Sequence, residues 1–246
     1  MIKKALEYIV GMSAPNVTEI DGETYSDKPL NRISYVPRAS SIEMGTLSSL
    51  IDYIKSGVDI FPEKMIIHVL SPTHVAMYSA LDGERKREYV VEVNANVPAF
   101  GFNQFMDHES FCIGVQSKFI DKMGVVNAPN EKALLLKFAG TVESGSLAEY
   151  GDDGITQKAT VKTGIASKGE ALVPNPVTLM PYRTFVEVDQ PISSFIFRMK
   201  EDKYSKGIQC ALYEADGGAW KIEAMANIKA YLVKELAGYD KFIIIS

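Results

Sequence analysis

Three clusters in this sequence hold side chains whose types and spacing could do chemistry. Asp152-Asp153, set between Gly151 and Gly154, could offer carboxylate oxygens to a magnesium or calcium ion, and Glu214 and Asp216 would enlarge that acidic group if the fold brought them near. The same residues also satisfy a turn, where glycine supplies positive φ and an aspartate bonds its own backbone. Arg183 lies between Tyr182 and Phe185 in a β-like run, with Glu187 close behind it and Arg198 further on. Strand alternation puts Arg183, Phe185 and Glu187 on one face and Tyr182, Thr184 and Val186 on the other. A guanidinium there could hold a phosphate or carboxylate in bidentate fashion, or stack on a base; it could equally pair with Glu187 or Glu214 and need no ligand. Gly217-Gly218, directly before a helix, would present free N–H groups and the positive end of the helix dipole to an anion. Tight turn packing with Asp216 as the cap accounts for the same two glycines. The candidate ligand-binding residues are therefore Arg183, Arg198, Gly217 and Gly218, and the candidate metal ligands are Asp152, Asp153 and Asp216.

The remaining residues assemble no catalytic constellation. His68, His74 and His108 have no metal-ligand spacing, and His68 sits in an apolar run as a buried imidazole would. There is no Gly-x-Ser-x-Gly elbow. Cys112 and Cys210 lie among apolar neighbours without a CxxC pattern, which reads as two buried free thiols, with a single disulfide as the alternative. Trp220, the only tryptophan, reads as a core or interface anchor. No catalytic residue and no cofactor follow from these patterns.

The hydrophobic pattern outlines the elements that must position these groups. A short helix over Lys3 to Val10 precedes a segment punctuated by Pro15, Gly22, Pro29 and Pro37, read as an arm that wraps its own chain or docks on a neighbouring subunit. The arm is bounded at residues 1–45, and 46–246 is read as one domain. Leu47, Leu50, Ile51 and Ile54 recur at helical spacing before Gly57. A three-stranded meander follows over 65–70, 74–81 and 85–97. Asp107 is a good N-cap for a helix carrying Phe111, Val115 and Phe119 that ends near Gly124. Lys132 to Val142 reads as a strand and Ser144 to Gly154 as a loop. Strands are then expected over 155–165, 177–188, 195–200 and 208–214, a helix from Gly218 to Gly238 with Ile222, Met225, Leu232 and Leu236 as its stripe, and a last strand over 242–245. The expected class is α+β, antiparallel and strand-rich, with three to four helices and a weak hint of internal duplication.

Composition narrows the function classes. With 246 residues and 46% apolar content the chain can bury a substantial core. Its net charge of -5 offers no overall positive field for a nucleic-acid backbone. The one dense basic run, Arg85-Lys86-Arg87, is flanked by Glu84 and Glu88 and reads as a solvated hairpin arm. No signal peptide and no run long enough to span a bilayer are seen, so a cytoplasmic protein without a membrane partner is expected.

One ordered string of residues is more specific than any of these patterns. It begins with Gly151-Asp152-Asp153-Gly154, Gln157 and Val161-Lys162-Thr163-Gly164, and runs on through Asn175-Pro176-Val177-Thr178-Leu179 and Pro181-Tyr182-Arg183-Thr184-Phe185. Glu187, Gln190-Pro191, Ser193, Phe195 and Arg198 follow, and Leu212-Tyr213-Glu214-Ala215-Asp216-Gly217-Gly218-Ala219-Trp220 closes it. In this order the string resembles the YfdQ-like family of phage and prophage proteins, densely over 150–236 and more loosely over 46–120. Val186 and Ile192 depart from the proline and the acidic residue associated with those places. The resemblance implies a phage- or prophage-encoded accessory protein of the host cytoplasm and no defined activity. Taken with the missing catalytic set, it makes a self-associating, homo-oligomeric binding or structural protein the leading expectation. A nucleotide- or nucleic-acid-binding protein of phage recombination or counter-defence is the alternative, and a metal-dependent hydrolase ranks below it.

Overall fold

The chain divides into two units, Met1–Ala39 and Ser40–Ser246. The computed structural model describes residues 2–13, 15–29, 39–61, 63–83, 85–121, 131–143, 146–152, 157–163, 167–172, 175–201 and 207–246. In the first unit, helix α1 (Ile2–Ser13) is followed by a hairpin of β1 (Val17–Ile20) and β2 (Glu23–Ser26). Asp21 and Gly22 take φ of 54° and 81° at its tip, the doubly left-handed turn whose twist matches paired strands. The segment expected to be an extended arm is therefore partly a hairpin, and its Asp-Gly turn signal lay in the sequence.

In the second unit, five strands form one mixed sheet in the order β14-β4-β5-β6-β3. They are β3 (Ile42–Met44), β4 (Met65–Ser71), β5 (His74–Tyr78), β6 (Tyr89–Asn94) and β14 (Phe242–Ile245). β3 and β14 join in parallel and the rest are antiparallel. The period-2 pattern places Met65, Ile67, Val69, Val75, Met77, Val91 and Val93 on one buried face. Two helices cover that face, α2 (Leu47–Ser56) and α5 (Ala219–Glu235), through Leu50, Ile51 and Ile54 and through Ile228 and Leu232. Thr46 starts α2 by accepting from the Ser49 N–H, and Gly57 at φ 65° ends it.

A second sheet, β11-β12-β13-β7, is built from β7 (Met106–Asp107), β11 (Val177–Leu179), β12 (Ser193–Glu201) and β13 (Ile208–Glu214). Helices α3 (His108–Lys118) and α4 (Glu131–Glu143) pack on it around Phe111, Val115, Leu135, Phe138, Phe195 and Phe197. The strand expected over Lys132 to Val142 is thus α4. Its apolar run is ambiguous locally, but Leu135, Phe138 and Ala139 fall on one helical face and all three are buried. Lys132 fixes its start by donating through Nζ to the Phe119 carbonyl at 2.6 Å.

Three further strands, β8 (Ser146–Asp152), β9 (Gln157–Thr163) and β10 (Ser167–Leu172), pair antiparallel in the order β10-β9-β8. β8 occupies most of the expected Ser144–Gly154 loop, where its backbone forms an antiparallel ladder with β9. The class is α+β as expected, with five helices among the described residues and α4 as the addition. Strand β14, from the far end of the unit, completes the sheet begun by β3. Among the described residues no helix is long and apolar enough to cross a membrane.

Candidate functional site

After β11 the chain leaves the second sheet and forms a loop, residues 180–192, braced by one buried side chain. Gln190 is 6% exposed. Its Oε1 accepts from the backbone N–H of Arg183 at 2.9 Å and of Thr184 at 3.1 Å, and its Nε2 donates to the carbonyls of Phe185 at 2.8 Å and Val188 at 3.3 Å. A neutral amide both donates and accepts, so it replaces the ladder partners that this backbone lacks. Pro181 and Pro191, which have no N–H, bracket the loop.

The expected strand 177–188 therefore stops at Leu179, and the alternation assigned to Arg183, Phe185 and Glu187 does not hold. Each reaches a different neighbour. Phe185 enters the core shared with α2 and α5. Glu187 Oε1 accepts from the Ser48 N–H and hydroxyl, both at 3.2 Å, in the first turn of α2, where a carboxylate suits the positive end of the helix dipole. Thr184 Oγ1 donates to the Pro72 carbonyl in the β4–β5 turn, and Asn227 of α5 donates to the Asp189 carbonyl at 3.0 Å.

Arg183 turns the other way, toward the second sheet. Its Nη1 lies 2.6 Å from Glu214 Oε1 and its Nη2 donates to Ser193 Oγ. The guanidinium carbon sits 4.0 Å from the centroid of the Trp220 ring, 5.4 Å from that of Phe195 and 5.6 Å from that of Phe102. The register explains the convergence, since Phe195 on β12 stands opposite Glu214 on β13 and Ser193 shares the face of Phe195. Of the two pairings that the sequence allowed, the partner is Glu214. Burial, the largest influence, pulls the proton affinity of Arg183 below its ordinary value, while Glu214 and Asp216 oppose that shift.

The start of α5 supplies the last part. Gly217 and Gly218 have φ of 62° and 84°, a left-handed pair that a side chain would strain. Gly218 is the N-cap, with no side-chain cap bond. Asp216 does not cap the helix directly; its Oδ1 accepts from the Gly218 N–H at 3.0 Å and so closes the turn before it. Burial raises the Asp216 pKa most strongly, yet hydrogen bonds from Ser193 and Gly218 and the charge of Arg183 outweigh it and hold the carboxyl below its usual range. The Gly218 N–H, one of the groups an external anion would use, is thus taken by the chain's own carboxylate. Two donors in the cluster, Arg183 Nε and Trp220 Nε1, are buried without a hydrogen-bond partner among the described residues.

The structure brings Arg183, Asp216, Gly217 and Gly218 together and leaves Arg198 apart. On β12, Ser193, Phe195, Phe197 and Met199 are buried on the core face, so Arg198 projects from the opposite face. Asp152 lies in β8, and Asp153 is outside the described residues. Among the described residues no group of three or more His, Cys, Asp or Glu is placed to hold a metal ion. His68 is half-exposed rather than buried, because Ile67 and Val69 take the core face of β4. Cys112 and Cys210 are not joined in a disulfide; burial pushes the Cys210 thiol up to about 12. The roles of Gln190, Thr184 and Ser193 escaped the sequence reading, although a glutamine held beside a proline between apolar runs was the available signal. Comparison of the chain with protein-family models, with curated proteins and with solved structures finds no match.

Proposed function

We propose that this is a non-catalytic accessory protein that works by self-association and binding, of the phage or prophage kind that the YfdQ-like resemblance implies, acting in the host cytoplasm. The observation that carries this reading is the closure of the Arg183 cluster. Both terminal nitrogens of its guanidinium are spent on Glu214 and Ser193, and Trp220 lies against it at 4.0 Å. Neighbouring loop residues bind the β4–β5 turn, α2 and α5. The densest part of the family-like string therefore serves to join two sheets, and outward-facing surfaces are left to do the work. Light scattering on the purified full chain at micromolar concentration tests it: a defined oligomer is expected, and a single monomer peak would sink the reading.

A nucleotide-binding reading, with Arg183, Arg198, Gly217 and Gly218 on phosphate, has one observation in its favour. A small polar ligand could take up the unpartnered N–H groups of Arg183 and Trp220. Against it, Glu214 and Asp216 set two carboxylates beside one guanidinium, which repels phosphate. Absence of thermal shift across a nucleotide panel, and unchanged mobility of labelled DNA at low salt, would remove it. The hydrolase reading on Asp152, Asp153 and Asp216 is tested by calorimetric titration with magnesium, manganese and calcium, where no heat eliminates it.

A further inference from the structure

Among the described residues, strand β14 is an open edge with none of the devices that keep sheet edges apart. Among the described residues of its unit, the other edge strands all carry one. β3 holds Glu43, β7 is two residues long and ends in Asp107, β11 is flanked by Pro176 and Pro181, and β8 and β10 contain Glu149 and Lys168. Charges, prolines and short length are what block pairing between edges. Phe242-Ile243-Ile244-Ile245 has no charge, proline, glycine or bulge.

Its free backbone groups can be assigned. The Met65 N–H donates to the Lys241 carbonyl at 2.8 Å, so in the parallel ladder residues 241, 243 and 245 turn their backbone toward β4, and 242, 244 and 246 turn theirs outward. The Phe242 N–H is used by the Tyr239 carbonyl at 3.0 Å, which leaves the N–H and C=O of Ile244 as the centre of the exposed edge. The side chains alternate the other way. Phe242 and Ile244 pack against the core, while Ile243 and Ile245 are 42% and 40% exposed on the opposite face of the sheet. On β4, Ile66 and Leu70 share that face, and Leu70 is 38% exposed.

We infer that β14 pairs antiparallel with β14 of a second copy of this chain, across a two-fold axis through Ile244, to make one continuous ten-stranded sheet. This rests on the self-association proposed above and names its surface. The strand is self-complementary in this register. Ile244 faces Ile244 and exchanges both backbone hydrogen bonds, and Ile243 of each copy stands directly opposite Ile245 of the other at the close, non-hydrogen-bonded pairs. Both exposed isoleucines thereby find an aliphatic partner twice over, as an isologous contact demands. The axis is perpendicular to the sheet, so α5, which packs beside β14, meets its twin on the same face and extends the contact past the strands themselves.

Sedimentation equilibrium of the full chain and of its I243K/I245K variant tests this. Both substitutions are on the surface and set like charges opposite each other, so the dimer dissociation constant is expected to rise on the order of a hundredfold or more, with circular dichroism unchanged. A wild-type dimer that the variant leaves intact overturns the β14 pairing while self-association stands. A monomeric wild type, or an assembly with an odd number of subunits, overturns the pairing as well, and the monomer ends both readings. If the lysines unfold the chain, I243C/I245C decides. Mild oxidation should give a covalent dimer whose bridge mass spectrometry maps between positions 243 and 245, apart from Cys112 and Cys210, and failure to form that bridge rejects the register.

Discussion

The guanidinium of Arg183 lies against the face of Trp220, 4.0 Å from the ring centroid, and this contact ties the loop after β11 to the first turn of α5. With the ring contacting the guanidinium at its central carbon, the terminal nitrogens stay available, and they bond Glu214 and Ser193. A cation over a desolvated ring adds electrostatic attraction of about 1–2 kcal/mol to those bonds.

Removing that cation should loosen the junction between the two sheets. Arg183→Ala is expected to lower the unfolding free energy by about 3 kcal/mol, toward the low end for a broken buried pair because Glu214 keeps partial solvent access. Arg183→Lys should recover less than half, since an ammonium lacks the planar fork. Urea unfolding measures both; a loss under about 1 kcal/mol for the alanine variant would contradict the structural role.

The brace inside the loop makes a sharper demand. Gln190→Glu keeps the shape, removes two donors and sets a carboxylate against the carbonyls of Phe185 and Val188, at a cost of about 2–3 kcal/mol at neutral pH. Protonation restores one donor, and a carboxyl facing two carbonyls has its folded pKa raised above the unfolded value of about 4, so the gap to the wild type should narrow as pH falls through that raised value and level off below about 4. An unchanged gap would show that the amide is not the brace.

Asp216 gives a second pH signature. Its folded pKa is held below the ordinary value, so its contribution is complete above the unfolded pKa of about 4 and is lost as pH falls through the lower folded value. The stability difference between the wild type and D216N should therefore be largest near neutrality and close on acidification. A difference that grows toward acid would reverse the assignment.

Thiol chemistry separates the two cysteines. Burial pushes the Cys210 thiol up to about 12, which leaves almost no thiolate at neutral pH. In the native protein Cys112 should react with a disulfide reagent well before Cys210, and denaturant should make both react. Mass mapping of the first-labelled site checks the order, and early labelling of Cys210 would refute it.

Some of this molecule was legible before any fold was known. Thr46 with the Leu47, Leu50, Ile51, Ile54 stripe, the alternation from Met65 to Val69, and the last strand at Phe242 are decided by periods that need only neighbouring residues. The Arg183–Glu214 pair was one of two named possibilities. Other features depended on contacts far along the chain. α4 is a helix because Leu135, Phe138 and Ala139 meet the aromatic core of the second sheet, whereas its isolated apolar run suits a strand equally well.

The loop of residues 180–192 shows the same limit at the candidate site. Its residues alternate as a strand's would, yet Gln190 satisfies its backbone and sends Arg183, Phe185 and Glu187 to three different neighbours. Sequence determined that an arginine, two carboxylates and a glycine pair would be available; only the tertiary structure decided that they neutralise one another. Charges separated by dozens of residues interact through space, and whether a cation is left for a ligand or spent on the fold is settled by which carboxylates packing delivers to it.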